Sequence, residues 1–157
     1  MSLVRIDPDK DIARQSSRGI RYVVVHCTDG NPKAAPTDVM AVFRQKGWKR
    51  PGYHFLVTHR GELWSLLPTS LAANGVRGHN YESIHVCYTG GIGRTDTDTR
   101  TPEQKEMLGR VLRRLHFLYP EARVLGHRDF PGVFKTCPCF DVETEYPETQ
   151  AQAENPT

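Results

Sequence analysis

Three residues of this chain carry side chains suited to holding a metal ion: His26, His127 and Cys137. Two neutral imidazoles and one thiolate supply three ligands to a tetrahedral zinc ion and leave its fourth position for water, as catalytic zinc sites require. Zinc so held lowers the pKa of its water to about 7 and keeps the sulfur deprotonated. Spacing by itself favours a plainer account. The two histidines stand about a hundred residues apart and no short zinc-binding pattern joins them. Taken singly, each position suits a hydrogen-bonded structural histidine or a buried thiol.

Whether the three converge depends on the elements that carry them. Residues 20–26 (IRYVVVH) are β-branched and nearly all apolar, the pattern of a buried central strand with His26 at its end. Thr37 is the expected cap of a helix with Val39, Met40, Val42 and Phe43 turned inward, stopped by Gly47. Residues 53–58 and 62–67 form an expected hairpin about Arg60-Gly61. Residues 83–89 (SIHVCYT) give a further strand. Thr101, Pro102 and Gln104 make a capping box with proline in the first turn. Leu108, Val111, Leu112, Leu115 and Leu118 follow at helical spacing, and Pro120 ends the run. Residues 123–126 form a short last strand, so His127 also follows a strand end, and Cys137 lies in the loop beyond. The order strand, helix, hairpin, strand, helix, strand predicts an α/β fold: a single domain with a central mixed β-sheet flanked by α-helices.

Length and composition agree with that. The chain has 157 residues, 38% apolar and 25% charged, which suits one soluble domain and excludes wholesale disorder. No apolar run approaches the ~20 residues of a membrane span. The first seventeen residues are mostly polar, with Asp7, Asp9 and Asp11, and lack the layout of a signal peptide. Net charge is +3, but residues 141–157 hold five acids and no base, leaving 21 bases against 13 acids elsewhere. Such a basic body attracts polyanions, and charge does not choose between nucleic acid and an anionic cell-wall polymer. Four cysteines without an export signal point to a reducing compartment, with Cys27 and Cys87 as buried small apolar residues. Beyond about residue 143 the acidic, proline-containing end is expected to be frayed.

The wording around the candidate ligands adds more. VVVHCT (23–28), GWKRPGYHF (47–55), NYESIHVCYTGG (80–91), TPEQ (101–104), GHRD (126–129) and KTCPCFD (135–141) occur in that order. Together they resemble the type 2 N-acetylmuramoyl-L-alanine amidases, most of all the short phage-type lysozymes with amidase activity; peptidoglycan recognition proteins share the superfamily. The resemblance implies an amidase domain over residues 20–141, an N-terminal extension at 1–19 and an acidic flexible tail at 142–157. It implies that His26, His127 and Cys137 bind Zn2+, that Tyr53 stands near the metal and that Lys135 is an active-site lysine. The implied reaction is hydrolysis of the amide between N-acetylmuramic acid and L-alanine of peptidoglycan, with Lys135 stabilising charge on the carbonyl oxygen. Tyr53 either orients water or donates to the same oxygen, and no carboxylate stands out as general base.

Two departures from the phage-type pattern stand out. Some relatives carry a histidine in the loop after the hairpin, where this chain reads Ala73-Asn74-Gly75-Val76-Arg77-Gly78. Cys139 adds a second thiol, an alternative ligand or redox partner, although the Lys-x-Cys-Pro context favours Cys137. His54 is expected to face away from Tyr53, His59 and His116 to lie at the surface, and His79 and His85 stay open between packing and support of the metal. The leading function is a phage-type endolysin, with a cytoplasmic muropeptide-recycling amidase and a non-catalytic peptidoglycan-binding module as rivals. Peptidoglycan or muropeptide is the expected substrate of a monomer with no membrane span, and nothing in the sequence marks a nucleic-acid surface. Synthesis in a bacterial cytoplasm, then action on the wall after release or export, completes the expectation.

Overall fold

The computed structural model describes residues 3–15 and 17–150. Six strands form one mixed sheet: β1 (Val4–Ile6), β2 (Tyr22–Cys27), β3 (Phe55–Val57), β4 (Leu63–Ser65), β5 (Ser83–Tyr88) and β6 (Arg123–Gly126), in the order β1-β4-β3-β5-β2-β6. β3, β5, β2 and β6 run parallel, while β4 pairs antiparallel with both β3 and β1. The helices are α1 (Pro8–Asp11), α2 (Pro36–Gln45), α3 (Pro102–Leu118) and α4 (Val142–Glu145). The expected fold class holds, a single α/β domain with helices on both faces.

Strand alternation assigns the faces. Val23, Val25 and Cys27 of β2 join Ile84, Val86 and Tyr88 of β5 and the buried stripe Leu108, Val111, Leu112 and Leu115 of α3 in the main core. The other face of the sheet takes Leu56 of β3 and Cys87 of β5 beneath Val39, Met40 and Phe43 of α2. His26 therefore projects on the α2 face, one residue past Val25.

α3 begins as its residues predict. The Thr101 hydroxyl accepts the Gln104 N–H at 3.0 Å, and the Gln104 side chain accepts the Thr101 N–H at 3.0 Å. α2 begins earlier than expected. Ala35 is its cap, Pro36 takes the first turn, and the Asp38 carboxylate accepts the Ala35 N–H at 2.9 Å, so Thr37 lies inside the helix. Val42 is 47% exposed because the buried positions 39, 40 and 43 span a narrow arc that excludes it. Gly47, at φ 76°, closes the end, and the Trp48 N–H reaches back to the Phe43 carbonyl at 3.1 Å.

The segment expected to fray is docked over the part that is described. Val142 and Thr149 are fully buried, and Tyr146 packs against Phe140. Arg100 is the clamp: its guanidinium lies 3.4 Å from the centre of the Phe140 ring and bonds Asp98, Glu145 and the Tyr146 hydroxyl. A buried cation needs such partners, and here Asp98 is joined by two from the acidic end of the chain, Glu145 and Tyr146. Residues 151–157 lie outside the described residues. At the other end, β1 extends the sheet edge through β4, so the N-terminal segment also carries part of the fold.

Leu112→Ala, at a fully buried position of α3, is expected to lower stability by about 3 kcal/mol, read as a shifted urea midpoint at unchanged slope.

Candidate metal centre and active-site groove

β2 and β6 are parallel neighbours with Val25 opposite Gly126, so the next residue on each, His26 and His127, leaves the same end of the sheet at the same level. Their ring centres are 4.8 Å apart. The chain then returns. The Arg128 N–H bonds the Cys137 carbonyl at 2.9 Å, the Cys27 N–H donates to Cys137 Sγ at 3.2 Å, and the Tyr88 hydroxyl holds the Pro138 carbonyl at 2.7 Å. These bonds bring Cys137 Sγ to 3.9 Å from His26 Nδ1.

Among the described residues, His26, His127 and Cys137 form the one group whose ligand atoms could hold a metal, all within 4.8 Å of one another. The donor set, two imidazoles and a thiolate, fits zinc better than a hard cation. Protonation supports the fit. Burial holds the His26 imidazole well below the usual histidine range, helped by His85, His127 and the Lys135 cation. Burial, then the Lys135 charge, lowers His127 to about 4. Both rings are therefore neutral near pH 7 and free to ligate.

The group stands in a groove of about 500 Å³ that Tyr53, Lys135 and Trp48 also line. The Tyr53 ring packs 5.1 Å from His26 and 5.4 Å from Phe43. Burial raises its phenol well above the usual tyrosine range, so it stays a hydrogen-bond donor. Lys135 is exposed at the rim, and Phe134 beside it is 97% exposed. The groove continues past Arg77 and Gly132.

The other candidates lie elsewhere. Cys139 Sγ is buried 3.9 Å from Cys27 Sγ on the α3 side, outside the ligand group, and burial raises its thiol to about 11. His54 is fully buried between the Leu71 carbonyl and the His85 N–H, at 2.7 and 3.0 Å. Tyr53 precedes β3, so strand alternation does not relate it to His54, whose ring lies parallel to that of His85. His59 and His116 are half-buried rather than at the surface, and neither lines the groove. His79 pairs with Glu82 at 3.1 Å and packs on Phe130. Sequence reasoning passed over Asn80 and Trp48. Trp48 stacks on Phe43 at 5.5 Å, a placement the tight end of α2 imposes. Asn80 begins the NYESIHV segment, and the loop it ties down is distant from any pattern that would mark it.

Comparison with known proteins agrees with this geometry. The model of the N-acetylmuramoyl-L-alanine amidase family matches residues 16–140. The endolysin of Enterobacteria phage K11 is 32% identical over 124 residues, 76% of this chain and 80% of that protein. The solved Ph2119 endolysin, from the bacteriophage Ph2119 of Thermus scotoductus MAT2119, has a TM-score of 0.75 at 23% identity over 90% of this chain and 92% of its own. Drosophila PGRP-LB has a TM-score of 0.66 at 17% identity over 81% of this chain and 79% of its own, a likeness of fold alone. The chain belongs to the N-acetylmuramoyl-L-alanine amidase family. It is an enzyme, a peptidoglycan amidase.

The buried histidines make stability depend on pH. Burial lowers His54 to about 4, whereas an unfolded histidine titrates near 6.5. Above about 6.5 both states are neutral and the stability of the neutral buried ring is fully present. Between about 6.5 and 4 the unfolded chain takes up the proton first, so stability falls as pH falls. The melting temperature of metal-free protein in EDTA is expected to drop steadily from pH 7 to pH 4; a flat calorimetric profile would contradict this.

Proposed function

We propose that this amidase is a zinc enzyme of the phage endolysin kind, acting on the cell wall after release from the cell that makes it. The carrying observation is the meeting of His26, His127 and Cys137 in one groove with Lys135 at its rim. The substrate is peptidoglycan, and the bond cut is the amide between the lactyl group of N-acetylmuramic acid and L-alanine.

His26, His127 and Cys137 would hold the ion. When bound, zinc supplies Lewis acidity toward the scissile carbonyl and a nucleophile available near neutral pH. The rest falls to the chain's own residues. The groove beside the ligands aligns the amide and limits its motion, which lowers the entropic part of the barrier. Negative charge grows on the carbonyl oxygen as the tetrahedral intermediate forms. Lys135 meets that charge with its cation at the rim, and the protonated Tyr53 phenol donates a hydrogen bond on the side of His26. Exposed Phe134 offers an apolar face to the sugar rings, while the basic balance of the body draws the anionic polymer toward the groove.

The direct test incubates zinc-loaded protein with intact sacculi and with free muropeptides, and follows newly exposed N-terminal alanine. Release from sacculi supports the endolysin role. Release from muropeptides alone replaces it with a recycling role, and release from neither ends the reading. Cys137→Ser is expected to lose zinc and activity together, and Cys139→Ser to keep both, as measured by metal analysis and turnover. Lys135→Ala should lower kcat roughly 100-fold, the scale of one lost oxyanion partner, with zinc still stoichiometric.

A further inference from the structure

We infer that His85 is a positioning residue for the metal: by accepting a hydrogen bond from His26 Nε2 it fixes the tautomer of His26 and leaves the Nδ1 lone pair facing Cys137. The inference rests on the zinc reading above and goes beyond the three ligands.

The protons can be assigned along a chain of contacts. Asn80 Oδ1 receives two backbone donors, the Gly75 N–H at 3.0 Å and the Val76 N–H at 2.8 Å. An amide oxygen only accepts, so its third neighbour, His85 Nε2 at 3.0 Å, must be the donor. A neutral imidazole carries one N–H, so His85 Nδ1 holds a lone pair. That lone pair faces His26 Nε2 at 2.8 Å, and His26 Nε2 must therefore carry the proton. The lone pair of His26 is left on Nδ1, the nitrogen 3.9 Å from Cys137 Sγ. Two backbone amides of the loop before Asn80 thus determine, through two side chains, which nitrogen of the ligand is free. A ligating histidine is commonly oriented by the partner of its other nitrogen, and here that partner is a second histidine rather than a carboxylate.

The surroundings hold the His85 ring to this one task. His85 is fully buried on β5, and among the described residues no carboxylate pairs with its ring, whose two nitrogens face only His26 and Asn80. Its backbone N–H is tied to His54 Nδ1 at 3.0 Å. The loop closes directly over the ring: a Cβ at Gly75 would lie 2.3 Å from His85 Nδ1. Any side chain there would push the ring off His26. Glycine at 75 is what allows the backbone both to cover the imidazole and to donate to Asn80.

The test uses three substitutions and one measurement on the unaltered protein. His85→Asn keeps an acceptor where Nδ1 stood. His85→Gln carries its amide to where Nε2 stood, so it reaches Asn80 but leaves the His26 N–H without a partner. His85→Leu removes both bonds. With folding of each metal-free variant monitored by circular dichroism, zinc affinity is read by chelator competition. His85→Gln and His85→Leu are expected to bind zinc roughly 10- to 100-fold more weakly, and His85→Asn to stay within about threefold of the parent. A purely structural role would instead make affinity follow the melting temperature across the set, or leave it unchanged, and either result overturns the inference. Long-range ¹H–¹⁵N correlation of the metal-free parent decides independently of any substitution: His26 as the Nε2–H tautomer supports it, and the Nδ1–H tautomer overturns it. If the parent binds no zinc, the zinc reading falls and the inference with it. If the parent binds zinc but His85→Gln binds equally well, the inference alone falls.

Discussion

The parallel pairing of β2 with β6 is the constraint on which the site depends. Two adjacent strands running the same way end at the same edge, and their register sets which residues end level with one another. With Val25 opposite Gly126, the first residues past that pair are the two histidines. A slip of one residue in either strand would turn its histidine toward α3 and into the apolar core, because side chains alternate. The register is well defined because both faces of β2 are buried: Val23 and Val25 pack beneath α3, and Val24 packs against Val76, Leu125 and Phe130. The core that stabilises the sheet is thus also what aligns the site. Ligand sites at the carboxyl ends of parallel strands follow from the same geometry in open α/β sheets generally.

Burial then divides the electrostatic labour. His26 lies at the floor of the groove, 2% exposed, where low polarity favours an uncharged ring. Lys135 stands in solvent at the rim, where a cation keeps its hydration. Its field reaches both imidazoles and disfavours their protonation further. In the proposed reaction one lysine would thus serve two ends, keeping the candidate ligands neutral and lending a positive charge to the groove. The thiolate of a ligating Cys137 would offset the repulsion between that lysine and a divalent ion.

How much of this could be read from the chain varies with the range of the interaction. The start of α3 was fully legible, because a capping box joins residues three apart and needs nothing beyond its own turn. The hairpin about Gly61 and the strand of residues 123–126 were legible for the same reason. The start of α2 was not: Thr37 is a good cap, but Ala35 is the cap instead, with Pro36 in the first turn and Asp38 accepting the Ala35 N–H, and local propensity did not rank the two. The acidic segment after residue 141 looked solvated by composition. It is folded because Arg100, some forty residues earlier, is buried and requires the Glu145 carboxylate and the Tyr146 hydroxyl. His85 shows the same limit at the site: in the sequence it is a strand histidine with two plausible roles, and its ring partners are His26 of β2 and Asn80.

The sequence by itself determined the periodicities, the caps and the residue types able to bind zinc, since these depend on neighbours within one turn or one strand. Family resemblance added which histidines and which cysteine to consider together. Only the tertiary structure decided that the three candidate ligand atoms meet, that Cys139 is turned into the core, and that His26 turns Nδ1 rather than Nε2 toward Cys137. Those outcomes depend on strand register, on which side of the sheet a loop returns, and on hydrogen bonds between residues 50 to 110 positions apart, for which the chain carries no local signal.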